Sequence, residues 1–219
     1  MITLNDIKSN EKIKAFIKEA NNSLKAIGYT EHGFAHVGLV ADRAGYILTE
    51  LGYSKRDAEL VKIAAYMHDI GNIVNRYDHA QSGAVIAFKL LDDLGMDAEE
   101  IAKIVTAIGN HDEGTGGPVN PISASLILGD KTDVRRTRVS ETKRERFDVH
   151  DRVNFSVIKS DLSFNEGKTE LTLSLEIDTE ISSVMEYFEI FLDRMVMCKR
   201  ASEALDISFA LMINGQKIA

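Results

Sequence analysis

The chain has no tryptophan, one cysteine and two prolines among its 219 residues, and each scarcity closes off a class of protein. A single cysteine, Cys198, excludes an intramolecular disulfide and fits a reducing compartment. The prolines, Pro118 and Pro121, both bracket the one glycine-rich loop, Glu113 to Asn120. No stretch reaches the roughly 18 consecutive apolar residues of a membrane span, and residues 1–22 alternate Lys and Glu with apolar residues instead of forming an apolar leader. No membrane partner is therefore expected, and the cytoplasm is the expected location. Positive charge is also in short supply: 26 Lys and Arg against 34 Asp and Glu leave a net charge of −8, the wrong sign for gripping a nucleic-acid backbone. What is present, 44% hydrophobic and 27% charged residues, is globular, with length enough for one good core or for a main domain with a small appendage.

From about residue 10 to residue 137 the signals are helical. Ile13, Phe16, Ile17, Ala20 and Leu24 follow i, i+3, i+4 spacing, with Gly28 where a C-terminal cap would stand. A second helix spans about 32 to 51, ahead of Gly52. Ser54 and Asp57 open a third, which runs through Leu60, Val61, Ala64 and Met67 to the doublet His68-Asp69 and stops at Gly71. A fourth covers about 79 to 94, Asp97 and Glu100 start a fifth through Ile108, and Pro121 opens a sixth, about 122 to 134. Residues 137–152 are highly charged and read as a loop or a frayed helical extension. Two β-like runs follow, 153–164 and 169–177, around the hairpin signal Asn165-Glu166-Gly167-Lys168. A helix over about 182–204 and a strand over 207–213, ending at Asn214-Gly215, complete the chain. The expected architecture is mostly α: a helical domain over 1–150, and a small β-β-α-β region over 151–219 serving as lid, dimerisation surface or packing layer. Three short strands leave edges to cover, and pairing across a homodimer is one way to cover them.

Four of the six histidines fall into an ordered series with two aspartates: His36, His68-Asp69, His79, His111 and Asp130. They spread over about 95 residues, so only tertiary folding can bring them together. Imidazoles mixed with carboxylates suit a borderline divalent ion rather than calcium. With no thiolate in the set, an open catalytic site fits better than a closed structural zinc site. Taken singly, His79 also reads as a neighbour of a helix N-cap, and His111 as a cation at a helix C-terminus. Asp112 forms a second His-Asp doublet but follows a short loop signal. His32, one turn before His36, stands either at a pocket mouth or on the surface, and His150 falls in the charged segment.

The series resembles the HD superfamily of metal-dependent phosphohydrolases: His36 in HGFAHVGLVADRA, the doublet in AAYMHDIGN, and Asp130 in LILGDKTDVR. The likeness covers about residues 30–137. It implies an HD-type helical bundle in which His36, His68, Asp69 and Asp130 hold a divalent ion. The extra histidines, His79 in HAQSGAVIAFKLL and His111 in IGNHDEG, resemble the binuclear branch, where Asp69 would be shared and His79 and His111 would complete a second ion. One or two transition-metal ions are implied, iron or manganese first, with zinc, cobalt or nickel accepted by the same donors. Branches that degrade cyclic dinucleotides often carry His-His-Glu and Gly-Tyr-Pro here; this chain has Asn110-His111-Asp112 and Gly116-Gly117-Pro118, a departure that counts against that substrate.

The activity this implies is hydrolysis of a phosphate ester or anhydride of a nucleotide or other small phosphorylated metabolite. Asp69 is its central group, being the one residue shared by both ions. Lys131 and Arg135, four apart downstream of Asp130, are placed on one helical face as phosphate-binding cations, with Lys131 at the chemistry. The alternative for the basic residues after Asp130 is a salt-bridged surface, because acidic residues are interleaved with them. Two other activities fit the same residues: di-iron oxygenation on the same fold, and a non-catalytic metal- or nucleotide-binding regulator.

Overall fold

Nine helices and a small four-stranded sheet follow from a succession of well-capped segments, seen in a computed structural model that describes residues 1–141 and 143–218. Thr142, inside the charged 137–152 segment, and Ala219 lie outside the described residues. A short first helix, α1 (Leu4–Ser9), precedes the helical signal read from the sequence. It owes its start to a reciprocal capping box between Thr3 and Asp6. Asn10 ends α1 and caps α2 (Glu11–Ala26) by accepting from Lys12 and Ile13 N–H. α3 (Phe34–Glu50) begins after Gly33, two residues later than expected. Ser54 caps α4 (Lys55–Met67), Asp97 caps α6 (Ala98–Gly109), and between them lies α5 (His79–Asp93). Gly28, Gly52 and Gly95 follow helix ends with φ of 88°, 78° and 72°, the left-handed region that glycine enters without a Cβ penalty.

α7 (Pro121–Lys131) forms the axis of the helical part. Asn120 and Ser123 make its capping box, Pro121 occupies the first turn, and every residue from Ile122 to Lys131 is buried. It packs against α3, α4 and α6 on one side and α9 on the other. The helix stops at Lys131 instead of running to about 134, with Thr132 in the cap position and its hydroxyl on Leu128 O at 2.6 Å. Lys131 and Arg135 consequently share no helical face: Arg135 is extended, at φ −163° and ψ 151°.

The C-terminal third differs from expectation at its start and its end. Residues 149–156 form a helix, α8 (Val149–Ser156), capped by Asp148 accepting from Asp151 N–H. The first strand, β1 (Val157–Phe164), therefore opens four residues later than the alternation suggested. β2 (Glu170–Ile177) buries Leu171, Leu173, Leu175 and Ile177 on one face. α9 (Val184–Glu203) then crosses over to β3 (Ser208–Ile213), which lies parallel to β2 in the register Leu171↔Phe209 to Leu175↔Ile213. A fourth strand, β4 (Gln216–Lys217), folds back through Asn214 and Gly215, both with positive φ, as a two-residue hairpin turn requires. The sheet order is β1-β2-β3-β4.

A single buried cluster runs from Leu4 and Ile63 through Leu126 to Cys198 and Leu211, so α9 and the sheet share the core of the helical part. A polar strut reinforces the join: the buried Arg43 donates to Thr132 O at 2.6 Å and to Ser160 O at 3.0 Å, linking α3, the end of α7 and β1.

Candidate metal centre

α3, α4, α5, α6 and α7 each deliver residues to one interior point. His36 comes from the first turn of α3, His68 caps the end of α4, and Asp69 starts the 3₁₀ turn Ile70–Ile73 that follows. Successive residues on an ideal helix point about 100° apart. His68 and Asp69 can face one centre because α4 ends there and the chain tightens. Gly71 makes that turn possible: a Cβ added to it would sit 2.0 Å from His79 O and 2.5 Å from Gly83 N, so α5 lies directly against the turn. His79 stands at the start of α5, His111 just past the end of α6, and Asp130 near the end of α7. All six side chains are buried.

The donor atoms fall on two sides of Asp69. On one side, Asp69 Oδ2 lies 3.6 Å from His36 Nε2 and 3.3 Å from His68 Nε2, and Asp130 Oδ1 lies 3.3 and 3.6 Å from the same two nitrogens. On the other side, Asp69 Oδ1 is 3.5 Å from His79 Nε2 and 4.0 Å from His111 Nε2. Among the described residues two groups are tight enough for an ion, His36–His68–Asp130 and His68–Asp69–His111, with His68 in both and the ligand atoms of each group within 4.8 Å of one another. His79 joins the second side through its distances to Asp69 and His111, although it belongs to neither of these groups.

The other ring nitrogens fix the tautomers. His68 Nδ1 meets Ala65 O at 2.7 Å, His79 Nδ1 meets Arg76 O at 3.1 Å, and His111 Nδ1 meets Ile108 O at 2.6 Å. His36 Nδ1 faces the Asp133 carboxylate at 2.7 Å. The acceptors on His36, His68 and His111 favour a proton on Nδ1, which turns Nε2 toward the centre, while His79 Nδ1 also has Arg76 Nη1 at 2.7 Å. Yet His36 and His68 bring their Nε2 atoms to 3.3 Å, and His79 and His111 bring theirs to 3.1 Å. Paired lone pairs at that range repel unless a proton or a cation lies beside them; Arg76 Nη1 stands 2.9 Å from His79 Nε2, and His68 can hold a proton. The buried Asp69 Oδ2 has no hydrogen-bond partner among the described residues, which makes the same demand.

The electrostatics agree. Burial disfavours charge on His68, but the Asp69 and Asp130 carboxylates override it and hold the imidazole's pKa up at about 10. Asp69 and Asp130 are pulled well below the usual carboxylate range against their own burial, Asp69 by His68 and Asp130 mainly by Lys131. For His111 burial outweighs the nearby carboxylates and, with His68 and Lys131 close by, pushes it down to about 3. The first side thus asks for positive charge, which a proton on His68 or a divalent ion supplies.

Lys131 is buried at the centre, with Nζ 2.7 Å from Asp130 Oδ2 and 3.1 Å from Glu113 Oε2; Glu113 in turn meets Arg194 of α9 at 3.0 Å. Arg135 turns the other way: its guanidinium engages Asp133 at 2.7 Å and Thr137 at 2.8 Å. Asp112 Oδ1 reaches no closer than 3.9 Å to His79 Nε2. His32 is half-buried, with its ring 5.4 Å from that of His36, and His150 is exposed. Four contributors escape a reading of the sequence. Asp133, fully buried behind His36, had one trace, its i+3 spacing from Asp130. Asn72 donates to Asp69 Oδ1 at 2.9 Å. Glu113 and Arg76 had no local signature.

One family model matches the chain over most of its helical part. The model of the HD domain matches residues 33–151, more than half of the chain. An uncharacterized protein of Methanocaldococcus jannaschii is 27% identical over 206 residues, covering 83% of this chain and 76% of its own. A crystal structure of a predicted HD superfamily hydrolase from an uncultured Thermotogales bacterium is 23% identical, with a TM-score of 0.45 over 61% of this chain and 75% of that one.

Proposed function

The chain belongs to the HD-domain family, and we propose from that premise that it is a metal-dependent phosphohydrolase with one divalent ion on each side of Asp69. The observation that carries the reading is the convergence of four imidazole Nε2 atoms on one buried carboxylate, in pairs 3.3 Å apart on one side and 3.1 Å on the other. A proton on His68 and the Arg76 guanidinium offset part of that crowding, and a divalent ion on each side would engage every donor. His36, His68, Asp130 and Asp69 Oδ2 would hold the first ion; Asp69 Oδ1, His79 and His111 would hold the second. Iron or manganese suits the donors best, and zinc, cobalt or nickel fits them too. Such ions supply Lewis acidity toward a phosphoryl group and a water acidified toward neutral pH.

The protein's own residues do the remaining work. Asp133 orients His36, and backbone carbonyls orient the other three imidazoles, so the donors are fixed before anything binds. Lys131 offsets the charge of Asp130 and Glu113, which keeps Asp130 ionised and aimed inward. The burial of the donors keeps bulk water away from the reacting group. The cations beside the centre, Lys131 and Arg76, favour an anionic substrate, a phosphate ester or anhydride of a nucleotide or small phosphorylated metabolite. That charge favours the hydrolase over a di-iron oxygenase, and the full donor set favours it over a non-catalytic regulator.

Phosphate release from a panel of nucleotides and sugar phosphates tests the reading. Release that depends on added metal, stops with a chelator and is lost in Asp69→Ala is the expected result. Release that survives Asp69→Ala would refute the mechanism.

A further inference from the structure

A pocket of about 360 Å³ opens beside the metal centre, walled by the α2–α3 connection, α8 and α9. Tyr29, His32, Arg76, Asp148, Phe191 and Arg194 are among its lining residues. Three of these touch or adjoin the centre itself. His32 stacks edge-on to His36 at 5.4 Å, Arg194 reaches Lys131 through Glu113, and Arg76 Nη1 lies 2.9 Å from His79 Nε2.

Arg76 is the unusual member. It is half-buried, and no carboxylate pairs with it among the described residues. Its guanidinium sits over the Tyr29 ring at 5.5 Å, and its Nη1 lies 2.7 Å from His79 Nδ1 and 2.9 Å from His79 Nε2. A neutral imidazole offers Arg76 no counter-charge. A cation held in a partly desolvated wall without a counter-ion is a site for an anion. Arg194 faces the same space, with its guanidinium over Phe191 at 4.5 Å. Tyr29, 42% exposed, presents an aromatic face at the rim.

We propose that this pocket is the substrate site and that it selects a phosphate monoester whose alcohol carries a planar ring, a nucleoside monophosphate being the simplest class. Arg76 and Arg194 flank the phosphate as it approaches the centre, Tyr29 stacks on the ring, and Asp148 accepts from the hydroxyl or amino groups of the alcohol. The volume is near the lower end of the roughly 300–1,000 Å³ of ligand pockets, room for one nucleotide and too little for two. This proposal rests on the hydrolase reading for the position of the phosphate.

The test is calorimetric titration of metal-loaded protein with inorganic phosphate and with a nucleoside 5′-monophosphate, with metal content measured on every variant. Arg76→Gln is expected to weaken phosphate binding by about ten- to a hundred-fold, the worth of a charged hydrogen bond, with no loss of metal, and Arg76→Lys to recover part of it. Tyr29→Ala is expected to weaken the nucleotide and leave inorganic phosphate alone. Phosphate binding within two-fold of wild type in Arg76→Gln overturns the proposal. If that variant loses metal, Arg194→Gln decides, since its side chain touches no candidate ligand; unchanged phosphate affinity there overturns it equally. Binding that depends on Arg76 and Tyr29 without hydrolysis of any phosphate ester would refute the hydrolase reading and leave the pocket standing. Hydrolysis indifferent to both residues would do the reverse.

Discussion

Replacing Asp133 by asparagine should loosen the metal centre without touching a single proposed ligand. The carboxylate is fully buried and serves two donors at once: Oδ2 accepts from His36 Nδ1 at 2.7 Å, and Oδ1 accepts from Arg135 Nε at 2.7 Å. An amide has one acceptor oxygen. Turned toward His36, it leaves its NH₂ against the Arg135 guanidinium, donor to donor. Turned toward Arg135, it offers NH₂ to His36 Nδ1 and so drives the ring proton to Nε2, removing the lone pair that a metal needs. Either orientation also forfeits the charge that holds His36 in place; burial opposes that charge, yet the bond from His36 and the nearby Arg138 keep Asp133 strongly acidic. Loss of such a supporting partner costs about 10- to 100-fold in metal affinity, or roughly 1.4–2.8 kcal/mol. Competitive titration against a chromophoric chelator measures it, with far-ultraviolet circular dichroism confirming the fold. Affinity within two-fold of wild type in a folded variant would refute the role given to Asp133.

Three further outcomes follow from the packing. Gly71→Ala should lower stability by more than about 2 kcal/mol, because its Cβ would meet backbone atoms of α5 at 2.0 and 2.5 Å; a melting temperature equal to wild type would contradict the close approach. Leu126→Ala, at a fully buried position on α7, should cost about 2–5 kcal/mol in denaturant unfolding, and a cost under about 0.5 kcal/mol would mean that α7 is not the axis of the core. The Cys198 thiol is fully buried, with its pKa raised by that burial. It should be inert to a thiol reagent at pH 8 and react fully once the protein is unfolded; rapid reaction of the native protein would place α9 elsewhere.

How much of this was legible in the sequence depended on how local the cause was. Helix boundaries set by neighbours in the chain were readable: Ser54 and Asp97 start their helices, and Gly28, Gly52 and Gly95 follow helix ends. So was the strict alternation of Leu171, Leu173, Leu175 and Ile177, which is the buried face of β2. The histidine–aspartate series could be recognised as a set, and the resemblance already implied its division about Asp69; which carboxylate oxygen faces which pair needed coordinates. Residues 149–156 show the limit of periodicity. Val153, Phe155 and Val157 alternate like a strand, yet Val149 and Val153 also repeat at i, i+4, and the Asp148 cap decided for a helix. The end of α7 was missed because Val134 stays buried past the last turn, so the apolar pattern runs on beyond the helix. Hardest of all were Glu113 with Arg194 and Arg76 with Tyr29, partners 81 and 47 positions apart that only tertiary packing brings together.

The centre on Asp69 is tested most directly by counting metal in anaerobically purified, metal-loaded protein by elemental analysis, beside His79→Ala and His111→Ala. Two ions per chain are predicted for the wild type, falling toward one in each variant. No bound metal in the wild type, or a count that neither variant changes, would contradict the account.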